Sequence, residues 1–119
     1  MRRRVVPSAL PVALLLALSP ALPAQAEVPQ NVVAAVAIRY LPVQVTIDQG
    51  ETLDLVNLDP TSHDVVAHDL GADGQPVFRS AIVGAGGQAR VVGVESLLPS
   101  AYPFVCSVHD SMTGVLIVQ

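Results

Sequence analysis

The 119-residue sequence predicts an all-β fold, a β-sandwich or barrel of about seven to eight strands. Three observations predict it. Valine supplies 18 of the 93 residues from Glu27 to Gln119, and β-branched side chains suit a half-buried pleated surface. Apolar and polar residues alternate with a period of two in several short runs, separated by Gly-, Pro- and Asp-rich turns. No window carries a sustained apolar stripe at the 3.6-residue helical period.

Residues 1–26 read as a secretory signal that precedes the fold. Arg2, Arg3 and Arg4 lead an apolar stretch from Ala9 to Leu18, and Ala24-Gln25-Ala26 supplies the small residues of a cleavage site. The apolar run contains Pro11 and is far shorter than the ~20 residues of a membrane span. The arginines also suit twin-arginine export, but the remainder of Met1 to Val6 does not follow that pattern. Cleavage after Ala26 leaves residues 27–119, the length of a single domain. Pro29 and its neighbours form a short tail before the first strand.

The strands follow in order. Val32 to Arg39 is the first candidate. Val43, Val45 and Ile47 alternate with Gln44, Thr46 and Asp48, which gives one buried face, and Gln49-Gly50 turns the chain. Leu53, Leu55 and Asn57 continue the alternation until Asp59-Pro60 breaks it, because proline cannot extend a central ladder. His63 to His68, Gln88 to Val94, Tyr102 to Cys106 and Val115 to Val118 are the remaining candidates. Gly71-Ala72-Asp73-Gly74 and Gly84-Ala85-Gly86-Gly87 are turn clusters between them, and Val94 to Leu98 is long enough only for a helical turn.

Composition excludes several functions. A single cysteine leaves no disulfide framework and no zinc site built from cysteine pairs. Three of the six arginines depart with the signal and there is no lysine, so the formal net charge of −4 becomes −7 in the mature chain. Nucleic acid, which is held by clustered Lys and Arg, is not the expected partner. The acidity serves solubility, or steers the chain toward a basic partner.

The chemistry concentrates near the C-terminus. Cys106, His109 and Met112 follow one another at three-residue intervals between the end of one strand and the start of the next, and His63 lies 43 residues upstream of the cysteine. Two imidazoles, one thiolate and one thioether are the donor set of a mononuclear blue-copper centre. Thiolate and thioether are soft and hold Cu(I), whereas imidazole accommodates Cu(II), so a rigid mixed set tolerates both. Tyr102, Phe104 and Cys106 share parity, which points the thiol inward together with two rings. Each of these residues taken singly has a structural explanation; their joint spacing points to one metal ion. His68 lies five residues beyond His63, on the opposite face of an extended strand, and is expected at the surface.

These motifs resemble the cupredoxins, the superfamily of plastocyanin and azurin, with a ligand loop most similar to that of the amicyanins. Tyr40-Leu41-Pro42, Gly50-Glu51-Thr52, Leu55-x-Asn57-x-Asp59, Phe78-Arg79-Ser80, Gly87-Gln88 and Tyr102-x-Phe104-x-Cys106 all resemble family patterns. The resemblance implies a Greek-key sandwich with one type 1 copper ion. His63, Cys106 and His109 would be its equatorial ligands and Met112 its axial ligand. The family commonly has asparagine after the first histidine, tying the two ligand loops together; Asp64 stands there and cannot donate the amide hydrogen bond. Ser100-Ala101-Tyr102 lacks a glycine often found before the tyrosine, and only four aromatic residues occur in the chain.

The function expected is that of an exported, monomeric electron carrier, periplasmic or secreted, which turns over no substrate. The edge of His109 would be its electron port, and its partners redox proteins such as a c-type cytochrome or a copper or quinoprotein enzyme. An extracytoplasmic copper carrier or scavenger would use the same residues without redox cycling, but usually carries Met- and His-rich tracts that this sequence lacks. A Cys106–His109 nucleophile pair has little room for a substrate cleft in 93 residues. A metal-free adhesion sandwich would leave the clustered donors unexplained.

Overall fold

The computed structural model describes residues 3–11, 13 and 31–119. The cleavage site at Ala24–Ala26, and with it most of the apolar segment of the expected signal, lies outside the described residues. Eight strands form two four-stranded sheets: β1 (Val32–Ala35), β2 (Tyr40–Leu41), β3 (Gln44–Ile47), β4 (Asp54–Asn57), β5 (Val66–Ala67), β6 (Gln88–Arg90), β7 (Ser100–Val105) and β8 (Thr113–Val118). One sheet runs β2-β1-β4-β6 and the other β3-β8-β7-β5. The pairs β1–β4 and β3–β8 are parallel and the rest antiparallel. The expected helical turn is a 3₁₀ turn over Val94–Ser96.

The period-two pattern places the core as expected. Val45 and Ile47 of β3, Leu55 and Asn57 of β4, and Leu116 and Val118 of β8 are buried, as is Leu53 just before β4. Val43 departs from the pattern: it precedes β3 and is exposed, because the strand begins only at Gln44. At the centre Phe104 meets Tyr40 edge-on with ring centroids 4.8 Å apart, and Phe78 lies 6.4 Å away. Tyr102 does not share this depth. It is half-buried, stands against Phe78, and donates its hydroxyl to the Leu98 carbonyl.

The first strand is shorter than the sequence suggests. β1 ends at Ala35, and residues 36–39 reverse the chain into β2, with Val36 and Arg39 exchanging both backbone hydrogen bonds. The two central residues, Ala37 and Ile38, have φ of 52° and 55°. That two-residue hairpin geometry ordinarily selects Asn-Gly, and the left-handed region costs roughly 1–2 kcal/mol per non-glycine residue. Ile38, being β-branched, carries no turn signal that a sequence reading detects. His63 to His68 is likewise mostly not strand: only Val66–Ala67 pairs with β7, and His63 makes an isolated bridge to Val83.

Candidate metal centre

The strand end and strand start that flank Cys106 and Met112 are neighbours in one hairpin. β7 and β8 pair through Val105 and Thr113, so residues 106–112 are the hairpin loop. Two hydrogen bonds shape it: the Cys106 N–H donates to the Met112 carbonyl (3.1 Å), and the Met112 N–H to the His109 carbonyl (2.9 Å). Cys106 and Met112 therefore sit side by side at the loop's base, both buried, while His109 at the far side is half-buried.

His63 arrives from a different segment, the 58–65 connection between β4 and β5. Asn57, fully buried at the end of β4, knits this connection. Its amide donates to the carbonyls of Thr61 (2.7 Å) and Val83 (2.9 Å), and its carbonyl oxygen accepts the Asp59 N–H (2.9 Å). Exchanged backbone bonds between His63 and Val83 complete the placement. The His63 ring ends fully buried, with Nδ1 3.2 Å from His109 Nδ1 and 3.8 Å from the Cys106 sulfur.

Three of the four expected ligand residues thus converge: donor atoms of His63, Cys106 and His109 all lie within 4.8 Å of one another. The two imidazoles face each other tilted by 48° with centroids 4.7 Å apart. Met112 is buried at the same loop's base. His68 stays outside the cluster, exposed beside Asp69.

Asp59 was not among the site residues expected from the sequence. It is buried, and its Oδ2 lies 2.8 Å from His63 Nε2, with Thr61 Oγ1 at 3.3 Å from the same nitrogen. A carboxylate only accepts, so Nε2 carries the proton and Nδ1, on the cluster side, presents its lone pair. The Ile38 N–H holds the Asp59 carboxyl below its ordinary range; burial opposes this, and the Ala37 N–H and His63 add to the lowering. The available signals were its place in the Leu55-x-Asn57-x-Asp59 pattern and its position four residues before the upstream histidine.

The tie between the two donor segments, for which Asp64 has no amide donor, is made with Asp64 as acceptor. Asp64 is buried and accepts both the N–H (2.7 Å) and the hydroxyl of Ser107, the residue after Cys106. Tyr40 donates its hydroxyl to the Asp64 carbonyl. Burial keeps the Tyr40 phenol protonated, with the nearby Cys106 and Asp64 acting in the same direction.

The donor set fits a metal ion. Metal–nitrogen distances of about 2.0 Å and metal–sulfur distances of about 2.3 Å allow nitrogens up to about 4.0 Å apart and a nitrogen–sulfur pair up to about 4.3 Å apart. The His63–His109 and His63–Cys106 separations of 3.2 and 3.8 Å fall inside these limits, and all three donor atoms lie within 4.8 Å of one another. Two imidazoles with a thiolate and a thioether favour copper over the harder cations.

Solved structures share the fold. A reduced tyrosine-for-tryptophan mutant of amicyanin is 18% identical, with a TM-score of 0.62 over 74% of this chain and 80% of that chain. A purple cupredoxin from Nitrosopumilus maritimus is 22% identical, with a TM-score of 0.60 over 75% of this chain and 99% of the other. A Cu-containing nitrite reductase from Thermus scotoductus SA-01 is 28% identical, with a TM-score of 0.63 over 92% of this chain but only 27% of the enzyme. No curated protein matches the chain. Fold and donor set together fit one type 1 copper ion. Residues 8–118 match the family model described as the Cupredoxin-like domain, and the chain belongs to the cupredoxin family.

Proposed function

We propose that the protein is an exported carrier of single electrons, with His63, Cys106 and His109 as equatorial ligands and Met112 as the axial ligand of one copper ion. The observation that carries this reading is the cluster itself: three donors of the appropriate types converge in a shell whose backbone and carboxylate supports are already in place. Copper bound there supplies a one-electron Cu(I)/Cu(II) couple. The chain's part is to hold its donors still, so that the electron comes and goes with little rearrangement. Asp59 fixes one ring of His63, Asp64 fixes the start of the cysteine loop, and the Cys106–Met112 hydrogen bond fixes its base. His109 is half-buried, and Val108 beside it is exposed; together they supply an electron port within a small apolar surface suited to brief encounters. Four protein donors leave no open position for a substrate, which supports a carrier over an enzyme, and the redox partners are proteins. Residues 1–26 act as the export signal for a mature chain of 27–119, periplasmic or secreted, with cleavage after Ala26.

The test is the visible and EPR spectrum of the mature protein titrated with Cu(II). An intense visible band that bleaches on reduction and is lost in Cys106→Ser is the expected result, because the band arises from thiolate-to-copper charge transfer. A colourless freshly loaded protein refutes it. Rapid electron self-exchange with slow copper release to a chelator separates an electron carrier from a metal carrier; the reverse pattern assigns metal delivery.

A further inference from the structure

The segment that presents His63 is fastened to the strained hairpin turn between β1 and β2, and one carboxylate makes the fastening. Asp59 Oδ1 accepts the Ala37 N–H at 2.6 Å, and Oδ2 accepts both the Ile38 N–H and His63 Nε2–H at 2.8 Å. We propose that the Ala37–Ile38 turn is a backbone cradle that positions Asp59, and through it sets the His63 ring for metal binding. The proposal rests on the copper reading of the site and adds residues to it that donate nothing to the metal.

Each part of the cradle requires the others. Two successive N–H groups converge on one anion when the chain turns to form a concave nest. Here that turn holds Ala37 and Ile38 at φ of 52° and 55°, a conformation neither residue prefers and one that Asn-Gly would adopt unaided. The anion keeps the turn in this state, and the turn keeps the anion where it is. Among the described residues, the carboxylate's hydrogen-bond partners are the two turn donors and His63, while the backbone N–H of Asp59 is held by Asn57. Because a carboxylate only accepts, the cradle selects the Nε2–H form of His63 and directs Nδ1 toward His109 and Cys106. An amide cannot replace it. Asparagine at position 59 would oppose its NH₂ to at least one of three N–H donors.

The cradle can be broken from either side, at the turn and at the carboxylate. Ala37→Pro sets φ near −65° and deletes one donor without touching any residue of the donor cluster. Asp59→Asn keeps size and removes the acceptor. Outer-shell partners of a metal-bound histidine typically contribute 10–100-fold to metal affinity. Both variants are therefore expected to lose about 10-fold or more in Cu(II) affinity, measured by competition with a chelator. In the metal-free protein, long-range proton–nitrogen NMR is expected to find His63 in the Nε2–H form in the wild type and a mixture of forms in both variants.

Wild-type copper affinity with an unaltered His63 tautomer in either folded variant overturns the proposal. So does an Nδ1–H His63 in the metal-free wild type, a measurement that needs no variant to fold. Absence of a thiolate–copper band in the wild type would refute the copper reading instead, and the tautomer measurement would still judge the cradle.

Discussion

Gly114 is a position where adding one methyl group should be costly. It faces Phe104 across the β7–β8 pair, and the phenyl ring lies over it. A Cβ at 114 would stand 2.6 Å from Phe104 Cε2 and closer still to Cζ. Carbon atoms settle about 3.5–4.0 Å apart, so the ring must retreat by roughly 1 Å or more. It has nowhere to go: Phe104 is fully buried, with Tyr40 edge-on at 4.8 Å and Phe78 at 6.4 Å. Overpacking of this kind costs about 1–3 kcal/mol, and the lack of an exit puts Gly114→Ala at about 3 kcal/mol. For a domain of this size, about 4–8 °C per kcal/mol converts that to a loss of about 12–24 °C in Tm. Urea and thermal unfolding of the metal-free protein measure it, with an unchanged urea m-value showing that the native state alone is affected. In a Phe104→Leu background, where the ring is gone, the same alanine should cost almost nothing. A loss below about 0.5 kcal/mol in the wild-type background, or full additivity of the two substitutions, would refute the packing argument.

Three further outcomes follow from the site. Tyr40→Phe should destabilise by about 1–3 kcal/mol, because it orphans the buried Asp64 carbonyl; denaturant midpoints check this, and a variant of wild-type stability would remove the hydrogen bond from the account. Met112→Leu should retain copper and colour while moving the reduction potential, since the axial bond in such centres is long and weak; an unmoved potential in voltammetry would show that Met112 is not the axial ligand. Asp64→Ala should leave Ser107 without its acceptor and loosen the cysteine loop. Amide exchange of residues 106–112 should rise about 10-fold or more, the factor that corresponds to a charged hydrogen bond of about 1.5–3 kcal/mol. Exchange at the wild-type rate would mean that the loop's own hydrogen bonds suffice.

Much of the donor chemistry was legible along the chain. Cys106, His109 and Met112 occupy one hairpin loop, and a loop's spacing is local information that survives whatever the rest of the fold does. The valine alternation likewise places Val45, Ile47, Leu53 and Leu55 inside, because a strand's faces alternate regardless of its partners. Two features lie where local pattern is not decisive. Val32 to Arg39 reads as one strand because Ala37 and Ile38 resemble strand residues, yet the Asp59 carboxylate, more than 20 residues away, holds them in a turn. Asp64 cannot donate the amide hydrogen bond, and what replaces it depends on a partner 43 residues away: Ser107 supplies the donors that an aspartate lacks.

The sequence by itself determined the sandwich, the kinds of donor available for a metal, and the loop that carries three of them, because these depend on periodicity and short spacing. The tertiary structure decided which nitrogen of His63 faces the cluster, which carboxylate orients it and which hairpin holds that carboxylate. Those contacts join residues 4, 21, 22 and 43 positions apart, and most depend on how β1, β4 and the β7–β8 hairpin are brought together. A buried polar group must find a partner, but only the packed fold determines which group lies within reach.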